Sequence, residues 1–280
     1  MSALWHALSD PWSGEIMRRA FAEVALLGIT GGAVGCWVVL GGLSYGAESL
    51  PHAMFPGLVL ATLAGVPLLA GGAAGLLVAA LAIALAARTP RIGGDTAIAV
   101  VVTSLFGLGV LLALAPATPA GVQALLFGDI LGVTGRDLLA AAALAGAALA
   151  ALRLLHTRLL IAGFDRATAR ALGASPWLAD LALLLLLALA VLVAVQALGN
   201  LLVVALLIAP AATARLLARR VPAMMVAAAA VAILCGGAGL YASYYLRTAA
   251  GASIAAAMVL VYLMATAAQL IGRGTAAQIA

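Results

Sequence analysis

The sequence predicts an all-α, polytopic transmembrane protein, and three observations carry that prediction. Of the 280 residues, 66% are hydrophobic and 8% charged, and the mean hydropathy is +1.25; a soluble domain carries roughly 25% charged residues. The apolar residues fall in long Ala/Leu/Val runs, not in the short stretches of alternating polarity that an outer-membrane barrel needs. The 14 basic residues are all arginine and sit in short clusters between those runs, as loop charges that set membrane topology do. A net charge of +5 distributed in this way gives no nucleic-acid surface.

Taken in order, residues 1–18 form an interfacial segment, with Trp5 and Trp12 suited to the membrane boundary. They lack the charged start of a cleavable signal, since residues 1–17 contain no arginine or lysine. A transmembrane domain then occupies 19–273, and 274–280 is a short tail. A crossing takes about 20 residues, so the domain holds about nine spans, with eight as the alternative count. The first, 20–40, has Glu23 near its start and a Gly-rich core of Gly28, Gly31, Gly32 and Gly35 that allows close helix approach. The second, 51–66, is short and interrupted by Pro51, Pro56 and Gly57. Further spans are expected at 68–87, 95–115, 138–155, 178–197, 199–217, 222–244 and 253–271. Residues 181–214 carry no charge; they read as two short helices hinged near Gly199-Asn200, or as one long helix and a dipping one. Pro210 is expected to kink the second half. Cys36 and Cys235 fall inside spans and read as small apolar filler. With the N-terminus outside and the C-terminus inside, ten arginines lie on the inner side and four on the outer, the sense that the positive-inside rule requires.

Two connections are long. In the outer one, 116–137, Asp129 reads first as a structural residue. The inner one, 156–177, contains a short helix at 164–173, with Asp165 as its N-cap and Gly173 as its stop. That helix reads either as a connector lying on lipid headgroups or as a docking element for a soluble partner.

Several chemistries have no material here. Without lysine there is no G-x-x-x-x-G-K-[ST] phosphate loop. There is no H-E-x-x-H, and His6, His52 and His156 are the only histidines. No catalytic residue and no resident cofactor is expected. The stretch Tyr45–Gly57 stands apart. It places Glu48 and His52 four residues apart, on one face if the segment is helical, at the head of a run uncharged until Arg88. Ionisable groups at membrane depth are costly and are functional candidates by default. Two readings stay open for the pair: an internal hydrogen bond that stabilises a helix start, or contact with a divalent metal ion in passage. Imidazole with carboxylate suits zinc, manganese or iron(II). Asp95, Met54 and Asn200 are candidates for the rest of such a coordination shell.

Five motifs, in order, resemble those of one family. They are Leu43-Ser44-Tyr45-Gly46-Ala47-Glu48-Ser49-Leu50-Pro51-His52-Ala53-Met54-Phe55-Pro56-Gly57, Asp95-Thr96-Ala97-Ile98, Leu126 to Thr134, Ala169-Arg170-Ala171-Leu172-Gly173, and Leu206 to Arg215 with Pro210. Over nearly its whole length the chain resembles the permease subunit of ATP-binding-cassette importers for zinc, manganese and related iron systems. The resemblance implies a multi-pass protein of the bacterial cytoplasmic membrane that forms a homodimer. It also implies a separate ATPase subunit beneath and an extracytoplasmic metal-binding protein above. Metal passage maps onto Glu48 and His52, and ATPase coupling onto 164–173, with Phe164, Asp165, Arg166, Arg170, Leu172 and Gly173. Glu48 stands where the family usually has Asp, and Pro51 where it usually has Ala. A permease for a chelated metal or other small cargo, and a secondary carrier or intramembrane enzyme, are the competing readings.

Overall fold

A computed structural model of the chain describes residues 10–89, 93–115, 130–164, 169–170 and 175–279. Asp129, and Asp165, Arg166, Leu172 and Gly173 of the 164–173 segment, lie outside the described residues. Among the described residues the regular elements are all helices, and there is no strand. The helices are α1 (Glu15–Leu40), α2 (Ser44–Ala53), α3 (Phe55–Ala64), α4 (Leu68–Ala86), α5 (Gly94–Ala113), α6 (Gly135–Phe164), α7 (Pro176–Leu217), α8 (Val221–Leu246) and α9 (Ala250–Ile279).

Seven helical stretches are long and apolar enough to cross a membrane, and Val203–Leu217 adds a shorter apolar one. Together with the α2–α3 pair they account for every expected span. Two boundaries differ from the expectation. The segment expected to begin at Pro51 is already helical from Ser44. The spans expected at 178–197 and 199–217 join in one helical run of 42 residues, unbroken at Gly199-Asn200. Local sequence cannot reveal this junction, because one glycine lowers helix propensity by only about 1 kcal/mol and packing overrides it.

The chain divides into two compact units. The first contains residues 1–36, 129–145 and 204–280. Within it the α1 glycines do what their spacing suggested. A Cβ on Gly32 would lie 2.8 Å from the backbone nitrogen of Ala229, and one on Gly28 3.0 Å from the Cβ of Ala232. Residue numbers rise on α1 as they fall on α8, so the two helices are antiparallel. On another side of α1, Gly31 meets Leu206 and Leu207, and Gly35 meets Leu207 and Ala211, so this part of α7 runs parallel to α1. α8 and α9 form a hairpin at Arg247, whose φ of 55° is left-handed. There the Ser243 hydroxyl donates to the Thr248 carbonyl at 2.7 Å.

The second unit contains residues 37–128 and 146–203. Here α2 and α3 lie along α5 in the same direction: Gly46 faces Ile98, and Phe55 and Pro56 face Gly109. α4 returns antiparallel, with Gly57 against Gly71 and Met54 against Gly75. At Gly57 a Cβ would collide with the Gly71 carbonyl, so glycine alone fits this crossing. Gly65, at φ 66°, ends α3 in the left-handed conformation that lets the chain turn into α4. Within each unit these directions are those of successive alternating crossings.

Candidate functional site

Glu48 and His52 both lie on α2, and its ten residues explain how they are presented. Gly46, Ala47, Ser49, Leu50, Pro51 and Ala53 are buried, which leaves Tyr45, Glu48 and His52 as a stripe along the open side. Their spacings of three and four residues are those of one helix face. Tyr45 is 43% exposed, Glu48 is exposed and His52 half-buried.

The helix carrying them is broken two residues beyond His52. Pro56 has no N–H to give the His52 carbonyl. That carbonyl instead meets the Met54 N–H, and α3 starts afresh at Phe55 with a proline in its first turn. Pro51, expected to weaken the segment, sits inside α2 without ending it. The imidazole is oriented by Phe106 of α5: the ring centroids are 5.5 Å apart and the planes meet at 70°, an edge-to-face arrangement of the favoured kind. Among the described residues no hydrogen bond or ion pair joins Glu48 to His52 or to any other group.

Of the remaining candidates, Met54 and Asp95 are not gathered at this stripe. Met54 is 3% exposed and packs towards α4, its methyl 3.1 Å from where a Cβ on Gly72 would stand. Asp95 is in the first turn of α5, eleven residues before Phe106, or about 16 Å along the helix. It lines a separate cavity of about 1050 Å³ with Arg88, Arg170, Ser175, Trp177 and Asp180. The side chain of Asn200 lies outside the described residues. Among the described residues no three His, Cys, Asp or Glu side chains converge as a metal cluster. One copy of the described chain therefore presents a carboxylate and an imidazole on an open face, not a closed metal site.

Where the C-terminal end of α4 meets the N-terminal ends of α5 and α7, the coupling candidates are only partly visible. Phe164 ends α6, and Arg170 is exposed and lines the cavity. Three residues with evident roles were missed from sequence. Phe106 and Trp177 look like ordinary apolar span residues, and Tyr45 was not recognised as sharing the stripe. Trp177, directly after Pro176 at a span boundary, carried the one usable signal.

Seven helices long and apolar enough to cross a membrane, with a broken helix that exposes a carboxylate and an imidazole, define a polytopic helical membrane protein. The chain belongs to the ABC 3 transport family, which its residues 13–269 match. It is 33% identical over 255 residues to the manganese transport system membrane protein MntC of Halalkalibacterium halodurans, covering 91% of this chain and 87% of that one. It is 29% identical over 265 residues to the chelated iron transport system membrane protein YfeD of Yersinia pestis, covering 95% and 89%. Among solved structures it is similar to PsaBC from Streptococcus pneumoniae in complex with Fab, with a TM-score of 0.82, 29% identity and coverage of 94% and 95%.

Proposed function

We propose that this chain is the membrane-spanning subunit of an ATP-driven importer for a divalent transition metal ion, manganese or zinc, with iron(II) as a third candidate. The observation that carries the proposal is the stripe of Glu48 and His52 on the open side of α2. A carboxylate and an imidazole facing lipid would be costly, so the stripe belongs against protein or a watered path. A homodimer with α2 at its axis supplies that setting. A two-fold interface brings the same patch of both copies together, giving two carboxylates and two imidazoles around one ion. That set suits a borderline cation. The break after His52 leaves backbone free to adjust as the ion enters and leaves, where irregular backbone inside a membrane is tolerated beside a cavity.

The work comes from outside the chain. A partner ATPase docks on the 164–173 segment, and an extracytoplasmic metal-binding protein delivers the ion to the outer side. The protein sits in the bacterial cytoplasmic membrane with its N-terminus outside. Closure of the ATPase pair tilts the helices so that the Glu48/His52 faces open first outward, then inward. Two ligand types strip enough water to select the ion and are few enough to release it.

The test is reconstitution. The full chain, co-expressed with the ATP-binding-cassette ATPase from its own genome neighbourhood, is placed in proteoliposomes with the matching binding protein outside. ATP-dependent accumulation of manganese, zinc or iron(II), with competition among them, is the expected result. Stable assembly with the ATPase but no ATP-dependent metal accumulation would overturn the proposal.

A further inference from the structure

The C-terminal end of α4 has an unusual fastening. At the close of a helix the last carbonyls lose their i+4 donors and must find others. The Arg88 N–H, which would serve the Ala84 carbonyl in a continuing helix, bonds to Leu85 instead at 3.1 Å. Ala84 is only 4% exposed, so water does not readily take that place. The indole N–H of Trp177 does, at 3.0 Å, from the first turn of α7. The guanidinium of Arg88 then lies over the indole ring, 4.7 Å from its centroid. Trp177 is thus held on two sides by the end of α4.

Beside this clamp the packing opens. The cavity of about 1050 Å³ lies between the ends of α4, α5 and α7, lined by Gly93, Asp95, Ser175 and Trp177 among others. Farther along the same pair the helices pack closely, a Cβ on Gly72 of α4 standing 3.3 Å from Leu192 of α7; at this end the polar clamp of Trp177 and Arg88 adds to that packing. From α4 the connection onward is rigid, because Gly71 and Gly75 bring its backbone against Gly57 and Met54. Met54 follows α2, the helix that carries Glu48 and His52, by one residue.

We propose that Trp177 is a positioning residue for transport: it passes displacement of α7's first turn to α4, and through the glycine crossing to the Glu48/His52 helix. This rests on the proposed function, in which the driving push arrives through the segment 164–173, four residues before Trp177. Removing the clamp weakens the coupling of hydrolysis to ion movement without touching either the ATPase site or the metal ligands.

The test uses the reconstituted complex, with ATP hydrolysis and manganese uptake read separately. Trp177→Ala is expected to leave hydrolysis within about twofold and to lower ions moved per ATP about tenfold, the scale of one hydrogen bond plus one cation–π contact. Trp177→Phe keeps a ring beneath Arg88 but lacks the donor, and Arg88→Gln keeps the donor but removes the cation; each is expected to lose about threefold. If Trp177→Ala does not assemble, this pair carries the test. An unchanged ratio of ions to ATP in both, or a loss of uptake that only parallels lost complex, overturns the proposal. ATP-driven uptake absent even from the unsubstituted complex would overturn the proposed function and this inference with it.

Discussion

Replacing His52 by phenylalanine separates packing from ligation. In the structure the imidazole meets Phe106 edge to face and stands half-buried on the open side of α2; in the proposed function its ring nitrogen is the ligand. His52→Phe keeps an aromatic ring against Phe106 and removes the nitrogen; His52→Ala removes both. An aromatic pair is worth about 0.5–1.5 kcal/mol beyond its buried area. His52→Ala should therefore lower the thermal midpoint of the purified protein by about 1–6 °C, at roughly 2–4 °C per kcal/mol. His52→Phe should leave it within about 2 °C. Uptake should behave differently. Loss of a residue that merely supports a metal ligand costs about 10–100-fold, so loss of the ligand itself should cost at least ~100-fold in both variants. The assay is manganese uptake in proteoliposomes normalised to folded protein, beside a thermal melt of the same preparation. A phenylalanine variant that transports at the unsubstituted rate would refute the ligand role and leave His52 as a packing residue.

Two further outcomes follow from the same unit. Met54→Leu should keep uptake within about twofold, because the side chain is buried against α4 and volume-conserving swaps cost less than about 1.5 kcal/mol; collapse of uptake at normal folded yield would make the sulfur a ligand. Gly57→Val should remove most of the monodisperse protein seen by size-exclusion chromatography, since any Cβ there meets the Gly71 carbonyl, and a normal elution profile would contradict the crossing described for α3 and α4.

Much of the candidate site was legible in the chain itself. Glu48 and His52 stood out because ionisable groups are rare in such sequence and a spacing of four is one helical turn. Pro56 marks the break, while Pro51, by residue type an equal candidate, sits inside α2. The rest of the proposed coordination shell was not legible. Met54 and Asp95 lie near the pair in sequence or in motif, yet one is directed into α4 and the other lines a cavity about 16 Å along α5 from Phe106. Sequence proximity gives no direction in space, and ligands converge only where helices from distant parts of the chain are packed.

The sequence by itself determined the class of the molecule. A composition this apolar, with arginines confined to short clusters, can satisfy its backbone hydrogen bonds in a membrane only as helices, and the helix count follows from length. It also determined that α1 would be closely packed, because its glycines recur within two turns and leave room for close helix approach. Only the tertiary structure decided which helix fills each glycine groove, that α7 continues through Gly199-Asn200, that Phe106 orients His52, and that Trp177 caps α4 from 93 residues away. Periodicity fixes which face of a helix is buried; the partner that buries it is chosen by shape and by unsatisfied carbonyls, and both arise only when the helices meet.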